Sequence, residues 1–152
     1  MSPVDDALAD DRASVKQWVD GWGDEVAAVD LTAGRRRFAD DVIAFGTFAD
    51  VVVGLDRLMQ DQWSQVWPKI EDFLFLTDDM QLMIAPDRRM AVAVVGWTSV
   101  GIDEAGARFP RPGRATIVLQ RSSIDDEWVG AHTHFSLGRG VPQSSHGSRP
   151  IR

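Results

Sequence analysis

Two histidines near the carboxyl end of the chain have the residue type and spacing for proton transfer. His132 and His134 are two of only three histidines in 152 residues, and their i, i+2 spacing puts both imidazoles on one face of a predicted strand. An imidazole titrates near neutral pH and can act as a general acid or base. We therefore treat His134 and His132 as candidate catalytic residues, with a hydrogen-bonded structural pair as the alternative.

The same spacing could hold a metal ion. Zinc and iron accept a His-x-His pair on a strand, but a third ligand would have to come from an Asp or Glu that no motif identifies. The chain contains no cysteine, which excludes thiolate ligands, disulfides and a Cys nucleophile. We expect no bound metal and no cofactor.

Six tryptophans form the second group of candidates. Trp18 lies on the apolar face of a predicted helix, Trp63 and Trp67 are i, i+4 neighbours on another, and Trp97 lies on a predicted strand. Aromatic side chains of this kind fill cores, but a buried indole N–H normally needs a partner, which a ligand can supply. Trp18, Trp63, Trp67 and Trp97 are therefore predicted ligand-binding residues.

Arginines and carboxylates give weaker signals. Arg111 and Arg114 flank a proline-glycine turn and could hold an anionic substrate through a bidentate contact, or they could be exposed loop charges. Arg114 is included among the predicted ligand-binding residues. A carboxylate base needs an apolar pocket that raises its pKa, and the sequence singles out none. The chain has no tyrosine, which removes a phenol as acid or oxyanion donor.

Hydrophobic periodicity places these residues in an α+β order. Helices are predicted over 5–22, 25–38 (capped by Asp24) and 55–70, a short hairpin over 42–47 and 51–53, and strands over 73–84, 90–102, 114–121 and 127–137, with a bulge at Gly96 and with 109–113 as a loop or edge. Such an order favours three N-terminal helices packed on one face of a curved antiparallel sheet. This cone has a natural cavity at its wide end.

Composition sets limits on the class of protein. With 44% hydrophobic and 26% charged residues, the chain is typical of a globular protein. We expect a single domain over 1–138 and a flexible basic tail over 139–152. The net charge of −7 argues against a nucleic-acid partner. The lack of a bilayer-length apolar run and of a basic-then-apolar leader predicts a cytoplasmic protein without a membrane partner.

The order of elements resembles the nuclear transport factor 2-like (NTF2-like) superfamily, in its SnoaL-like or ketosteroid-isomerase-like branch. The residues that carry the resemblance are Trp18, the segment 42–47, the helix 54–68, the triplet 114–116 and the closing strand 128–136. The resemblance spans about residues 5–138. It implies a cone-shaped, cystatin-like α+β fold, commonly a homodimer that pairs through the sheet. Relatives include steroid isomerases, polyketide cyclases, dehydratases and binding proteins.

Two functions follow as hypotheses. The first is a pocket protein for an unidentified hydrophobic or aromatic small molecule. It could be a cofactor-independent isomerase, cyclase or dehydratase that works by proton transfer through His134 or His132. The isomerase pattern pairs an Asp base with a Tyr donor, so without tyrosine that mechanism cannot carry over intact. The alternative is a non-catalytic homodimerisation or interaction module, with the histidine face at the subunit interface.

Overall fold

A 25-residue helix begins the fold. In the computed structural model, which describes residues 2–152, α1 (Pro3–Ala27) starts with Ser2 as N-cap, whose side chain and that of Asp5 form a capping box. The predicted helix 5–22 is thus confirmed and extended. It continues through Gly23 because this glycine lets the ring of Phe75 approach closely: a Cβ there would lie 3.0 Å from a ring carbon. Gly21 and Gly23 both lie inside α1, and neither ends the helix.

The predicted second helix over 25–38 is wrong in its bounds. The chain turns at Val29, which has a φ of 55°, and α2 (Leu31–Arg35) covers only five residues. Its N-cap is Asp30, whose side chain accepts a hydrogen bond from the Ala33 amide at 3.0 Å. Asp24 lies inside α1, so it cannot cap a second helix.

The third predicted helix has the expected extent and an irregular interior. α3 (Leu55–Leu58) runs into a π-helical segment (Met59–Trp63), which is followed by α4 (Ser64–Val66) and a 3-10 turn (Trp67–Lys69). A π-helical segment widens the backbone and is often found at functional sites. Among residues 2–152, no helix is both long enough and apolar enough to cross a lipid bilayer.

The strands form one mixed sheet of eight. They are β1 (Phe38–Phe45), β2 (Val52–Val53), β3 (Glu71–Phe75), β4 (Gln81–Ile84), β5 (Met90–Ile102), β6 (Arg108–Pro110), β7 (Gly113–Gln120) and β8 (Val129–Leu137). The order is β2-β1-β8-β7-β5-β3, and β4 and β6 also pair with β5. The α+β class and its cystatin-like, NTF2-like arrangement are confirmed. The expected wholly antiparallel sheet is not, because β1 and β8 pair in parallel.

Two local predictions about strands are also corrected. The stretch predicted as one strand over 73–84 is two strands, β3 and β4, separated by a 3-10 turn (Thr77–Asp79), and both pair with β5. The expected bulge at Gly96 is absent, since β5 and β7 pair in unbroken register from Met90 to Trp97. The irregularities lie between β3 and β5 and between β7 and β8. The proline-containing segment forms β6, an edge strand as expected.

Alternation along the strands gives the sheet two different faces. Ala91, Ala93, Val95 and Trp97 of β5 are buried, whereas Val94 between them is 44% exposed. The buried face packs under α1 and the α3–α4 segment, and we call the opposite one the outer face. The hydrophobic core therefore lies between the helices and the inner face.

The carboxyl-terminal residues 139–152, which we call the strap, run along the domain and make hydrogen bonds to it. The Ser145 hydroxyl donates to the Lys69 carbonyl at 2.5 Å. The Arg149 guanidinium donates to the carbonyls of Ala27 and Ile70 at 2.5 and 3.1 Å, which places positive charge at the carboxyl end of α1. The strap thus has a defined path, while its mobility in solution stays a prediction.

A buried carboxylate connects α1 to the far end of the sheet. Asp11 is 2% exposed, and its oxygens accept hydrogen bonds from Arg88 at 2.7 and 3.0 Å and from Arg121 at 2.8 Å. Arg121 lies 3.8 Å over the ring of Trp128, whose Nε1 donates to Ser14 Oγ at 2.9 Å. The hydrogen bond from Arg88, and after it that from Arg121, lowers the pKa of the Asp11 carboxyl against the opposing effect of burial.

We expect Asp11→Ala to lower the free energy of unfolding by about 3–5 kcal/mol, because it leaves the buried guanidinium of Arg121 without its carboxylate partner. The folded pKa of Asp11 lies below the unfolded value of about 3.9. The contribution is therefore present above about pH 4 and is lost as the pH falls through the folded pKa. Urea unfolding at a series of pH values measures both effects.

The exposed neighbour Asp10 is the matched control. Asp10→Ala should change stability by no more than about 0.5 kcal/mol. Equal losses in the two variants would show that the buried cluster is not what stabilises this end of the fold.

Candidate functional site

An aromatic cavity lies between α1, the α3–α4 segment and the inner face of the sheet. We call it the aromatic cavity; its lining residues are Trp22, Val26, Phe45, Thr47, Leu58, Gln62, Trp63, Val66, Trp67, Ile70, Phe73, Trp97, Arg111, Thr133 and Phe135. The cavity and its mouth enclose about 470 Å³, of which about 30 Å³ admits the centre of a water molecule. The cavity is therefore nearly filled by its own side chains.

Indole rings form much of the wall. Trp63 and Trp67 stack with ring centroids 4.6 Å apart and an interplanar angle of 17°. Trp22 lies against Trp63 at 6.1 Å and against Phe135 at 5.5 Å. Trp97 packs on Phe135 from the other side at 6.1 Å. Stacked and tilted rings of this kind present flat apolar surfaces to a flat ligand.

Gln62 holds one rim of the cavity. Its side chain is buried; its Oε1 accepts hydrogen bonds from the amides of Phe48 and Ala49 at 3.1 and 2.7 Å, and its Nε2 donates to Thr47 Oγ1 at 3.2 Å. Gly46 allows this approach, since a Cβ there would lie 2.6 Å from Gln62 Nε2. The π-helical segment thereby fixes the loop that follows β1.

Arg111 is the charged residue of the lining and is only 2% exposed. Its amide donates to the Ser99 carbonyl at 2.9 Å, and its carbonyl accepts from the Ser99 hydroxyl at 2.6 Å. Its Nη2 donates to the Gln143 carbonyl of the strap at 2.7 Å. Burial lowers the pKa of Arg111 from its usual range, although a guanidinium starts so high that it stays charged at neutral pH.

A second space, the strap cleft, adjoins the cavity. It encloses about 940 Å³, of which about 440 Å³ admits the centre of a water molecule, and its lining residues are Phe48, Gln65, Val66, Lys69, Ile70, Arg111, Gln143, Ser144, Ser145, His146 and Gly147. Val66, Ile70 and Arg111 line both spaces. The wall between them is therefore formed by these three side chains.

The two candidate catalytic histidines lie on the outer face and are not among the residues that line the aromatic cavity. His132 and His134 of β8 pair with Ile43 and Phe45 of the neighbouring strand β1. His132 Nδ1 lies 2.6 Å from the Ile43 carbonyl, and the His134 ring lies 4.1 Å from that of Phe45. The inner face of β8 instead presents Thr133 and Phe135 to the cavity. The sequence pattern separated these two faces but did not say which one meets the cavity.

The predicted ligand-binding residues divide in the same way. Trp63, Trp67 and Trp97 line the cavity, as the prediction requires. Trp18 does not; it packs on Trp22 and Phe38 behind the wall. Arg114 lies on the outer face, where its Nε donates to Ser136 Oγ at 2.7 Å. Its neighbour Arg111 was considered with Arg114 as a possible contact for an anionic substrate but was not among the predicted ligand-binding residues. Arg111 is the arginine that lines the cavity.

Sequence reasoning left other lining residues unassigned. Trp22 shares a helical face with Trp18 that sequence reasoning identified, and Phe135 and Thr133 lie on the apolar face of the last strand, so periodicity alone could have proposed them. Gln62 lies on the apolar stripe of its helix as the one polar member, which is the signal that could have marked it. No pattern in the sequence indicates that Arg111 is buried.

The chemistry of the lining is limited to few groups. Among the lining residues in the described part of the chain, polar side chains come from Thr47, Gln62, Arg111 and Thr133, and none carries a carboxylate or an imidazole. Residues 2–152 also contain no group of three or more His, Asp or Glu side chains close enough to hold a metal ion. The third ligand that a His-x-His metal site needs is not supplied within one chain.

Comparison with known proteins gives the family. The family profile of the SnoaL-like domain matches residues 15–140, and the chain belongs to this family. The NTF2-like and ketosteroid-isomerase-like relationship suggested by the sequence is thereby confirmed. A search of curated proteins gave no significant match.

Solved structures agree on the fold. A proposed scytalone dehydratase from Novosphingobium aromaticivorans matches with a TM-score of 0.73 at 8% identity, covering 96% of each chain. A ketosteroid isomerase-like protein from Erwinia carotovora atroseptica matches at 0.69 and 16% identity, covering 82% of this chain and 94% of that one. An NTF2-like superfamily protein from Salmonella enterica serovar Typhimurium matches at 0.70 and 14% identity, covering 88% and 97%. Identities this low establish the fold alone.

We expect Gln62→Ala to loosen the rim of the cavity. The variant removes the acceptor of the Phe48 and Ala49 amides, and the loss in unfolding free energy should be about 1–3 kcal/mol. Hydrogen exchange at these two amides should accelerate more than at amides of β5. Gln65→Ala is the control, because the Gln65 amide makes one long hydrogen bond of 3.4 Å. Unchanged exchange at Phe48 and Ala49 would contradict the anchoring role.

Proposed function

We propose that this protein binds a small, flat, hydrophobic or aromatic molecule in the aromatic cavity. The observation that carries the proposal is the wall of stacked and tilted rings around Trp63 and Trp67, closed on one side by Trp22 and on the other by Trp97. Ligand sites are typically concave and mostly apolar, with a few placed polar groups. The aromatic cavity has this composition.

The residues that line the cavity support ligand binding without proton transfer. Isomerases, cyclases and dehydratases that work without a cofactor need a general base near the reacting atoms, and the described lining offers only an amide, two hydroxyls and a guanidinium for that task. The SnoaL-like fold and the dehydratase- and isomerase-like names of structural neighbours keep such chemistry as the finer alternative. Such chemistry would require a basic group of the ligand itself, or a water molecule, to act as the base.

Entry into the cavity requires the wall to move. The free space of about 30 Å³ is enough for a water molecule or two but not for an aromatic ring. The strap cleft is separated from the cavity by Val66, Ile70 and Arg111. We infer that a ligand enters from this cleft as these side chains change rotamer.

The test uses cinnamamide, a flat neutral molecule, with isothermal titration calorimetry and tryptophan fluorescence as readouts. Trp67→Leu should weaken its binding by about tenfold, because one ring of the stacked pair is lost. Trp18→Leu removes a comparable buried ring outside the cavity and should leave the affinity within about twofold. His134→Ala, on the outer face, should also leave it unchanged.

The outcomes separate the roles. Equal losses in Trp67→Leu and Trp18→Leu would point to general destabilisation. A loss of affinity confined to His134→Ala would indicate that the ligand binds on the outer face. That result would overturn the assignment of the aromatic cavity.

A second proposal concerns the outer face, which we infer to be the interface of a homodimer. Apolar side chains on it are about half exposed or more: Ile43, Val53, Leu74, Met83 and Val94. They come from five strands, and Val94 lies in a row across the sheet with Thr116 of β7 and His134 of β8. An apolar sheet face of this breadth favours an isologous contact with a second copy.

We expect the protein to sediment as a dimer and Val94→Asp to shift it to a monomer, because a carboxylate at the centre of an apolar interface would be buried without a partner. Ile124→Asp is the control: Ile124 is 49% exposed but lies in the loop between β7 and β8. A wild-type chain that sediments as a monomer at all concentrations would exclude the dimer. An unchanged dimer in Val94→Asp would place the interface elsewhere.

A further inference from the structure

Three residues that line the aromatic cavity carry buried hydrogen-bond donors that no acceptor among residues 2–152 satisfies. Four buried side-chain nitrogens have no hydrogen-bond partner among residues 2–152, and three of them belong to cavity-lining residues: Trp22 Nε1, Trp97 Nε1 and Arg111 Nε. All three are N–H groups, and a buried donor without an acceptor costs free energy. A ligand that brings acceptor oxygens to these donors would remove that cost.

Arg111 further narrows the chemistry of those acceptors. It is 2% exposed, and among residues 2–152 no carboxylate forms an ion pair with it, whereas Arg88 and Arg121 both pair with Asp11. Its protein contact is a neutral carbonyl, that of Gln143. A buried guanidinium without an anion is costly, and it is stabilised strongly when an anion arrives in a site of low dielectric.

The position of Arg111 does not depend on its side chain. The backbone of this residue is held by both hydrogen bonds to Ser99. The hydrogen bond from its Nη2 to the Gln143 carbonyl of the strap needs a donor but no charge, and replacing an unpaired buried charge by an uncharged group is often neutral or stabilising. The charge is thus explained by a ligand rather than by the fold.

We infer that the ligand of the aromatic cavity is an aromatic or hydrophobic carboxylate, with Arg111 as its anion-binding residue. The inference rests on the proposed function and names the chemical class of its ligand. A planar monoanion suits one guanidinium and two indole N–H groups among apolar rings. A phosphate, with two charges and more oxygens, needs more donors than the lining offers. The carboxylate reaches Arg111 at the wall between the cavity and the strap cleft.

The test compares two pairs of probes that differ only in charge: cinnamate with cinnamamide, and benzoate with benzamide, each titrated by calorimetry. The wild-type protein should bind each acid about tenfold or more tightly than its amide. In Arg111→Met this preference should fall to about unity, because only the acid depends on the positive charge. Arg111→Gln, which keeps a donor but no charge, should also lose the preference.

Arg114→Met is the matched control, since Arg114 lies three residues away on the outer face; it should keep the full preference for acids. If the wild type binds acid and amide equally, the anion inference is wrong while the aromatic cavity stands. If Arg114→Met and not Arg111→Met removes the preference, the anion-binding residue is misassigned. If neither member of a pair binds the wild type, the proposed function fails and the inference fails with it.

Discussion

The indole ring of Trp22 packs against five other aromatic rings, those of Trp18, Phe38, Trp63, Phe75 and Phe135. These rings come from α1, the π-helical segment and three strands of the sheet. Trp22 is therefore the central contact that sets how α1 packs on the inner face, together with Trp18 on Phe38 and Gly23 against Phe75. The aromatic cavity lies beside this contact, and the rings of Trp22, Trp63 and Phe135 form part of its wall.

The constraint explains why the cavity is both aromatic and small. Rings that hold the helix to the sheet cannot be far apart, since their attraction falls off within a fraction of an ångström beyond contact. The cavity wall is therefore also core, and a ligand that enters replaces contacts the protein makes with itself. The π-helical segment and the three-residue wall toward the strap cleft are where the structure can yield without separating α1 from the sheet.

Buried charged side chains occur in two different settings in this protein, one with and one without an oppositely charged partner. Asp11 satisfies two arginines at the end of α1 far from the cavity, and that cluster stabilises the fold. Arg111 has no such partner and lies where a ligand would be. The contrast within a single chain separates a stabilising buried charge from one that fits a binding role.

Residue types and periodicity by themselves determined the α+β class, the family resemblance, the presence of α1, and the extents of β5 and of the helical segment that begins at Leu55. They also placed Trp63, Trp67 and Trp97 on buried faces, because the periods of helices and strands are local properties of the chain. Only the tertiary structure decided which face of β8 meets the cavity, and it places the candidate catalytic histidines on the opposite face. It likewise decided that β1 pairs in parallel with β8 and that Arg111 rather than Arg114 is buried. These outcomes depend on contacts between residues distant in sequence, and local patterns carry no information about them.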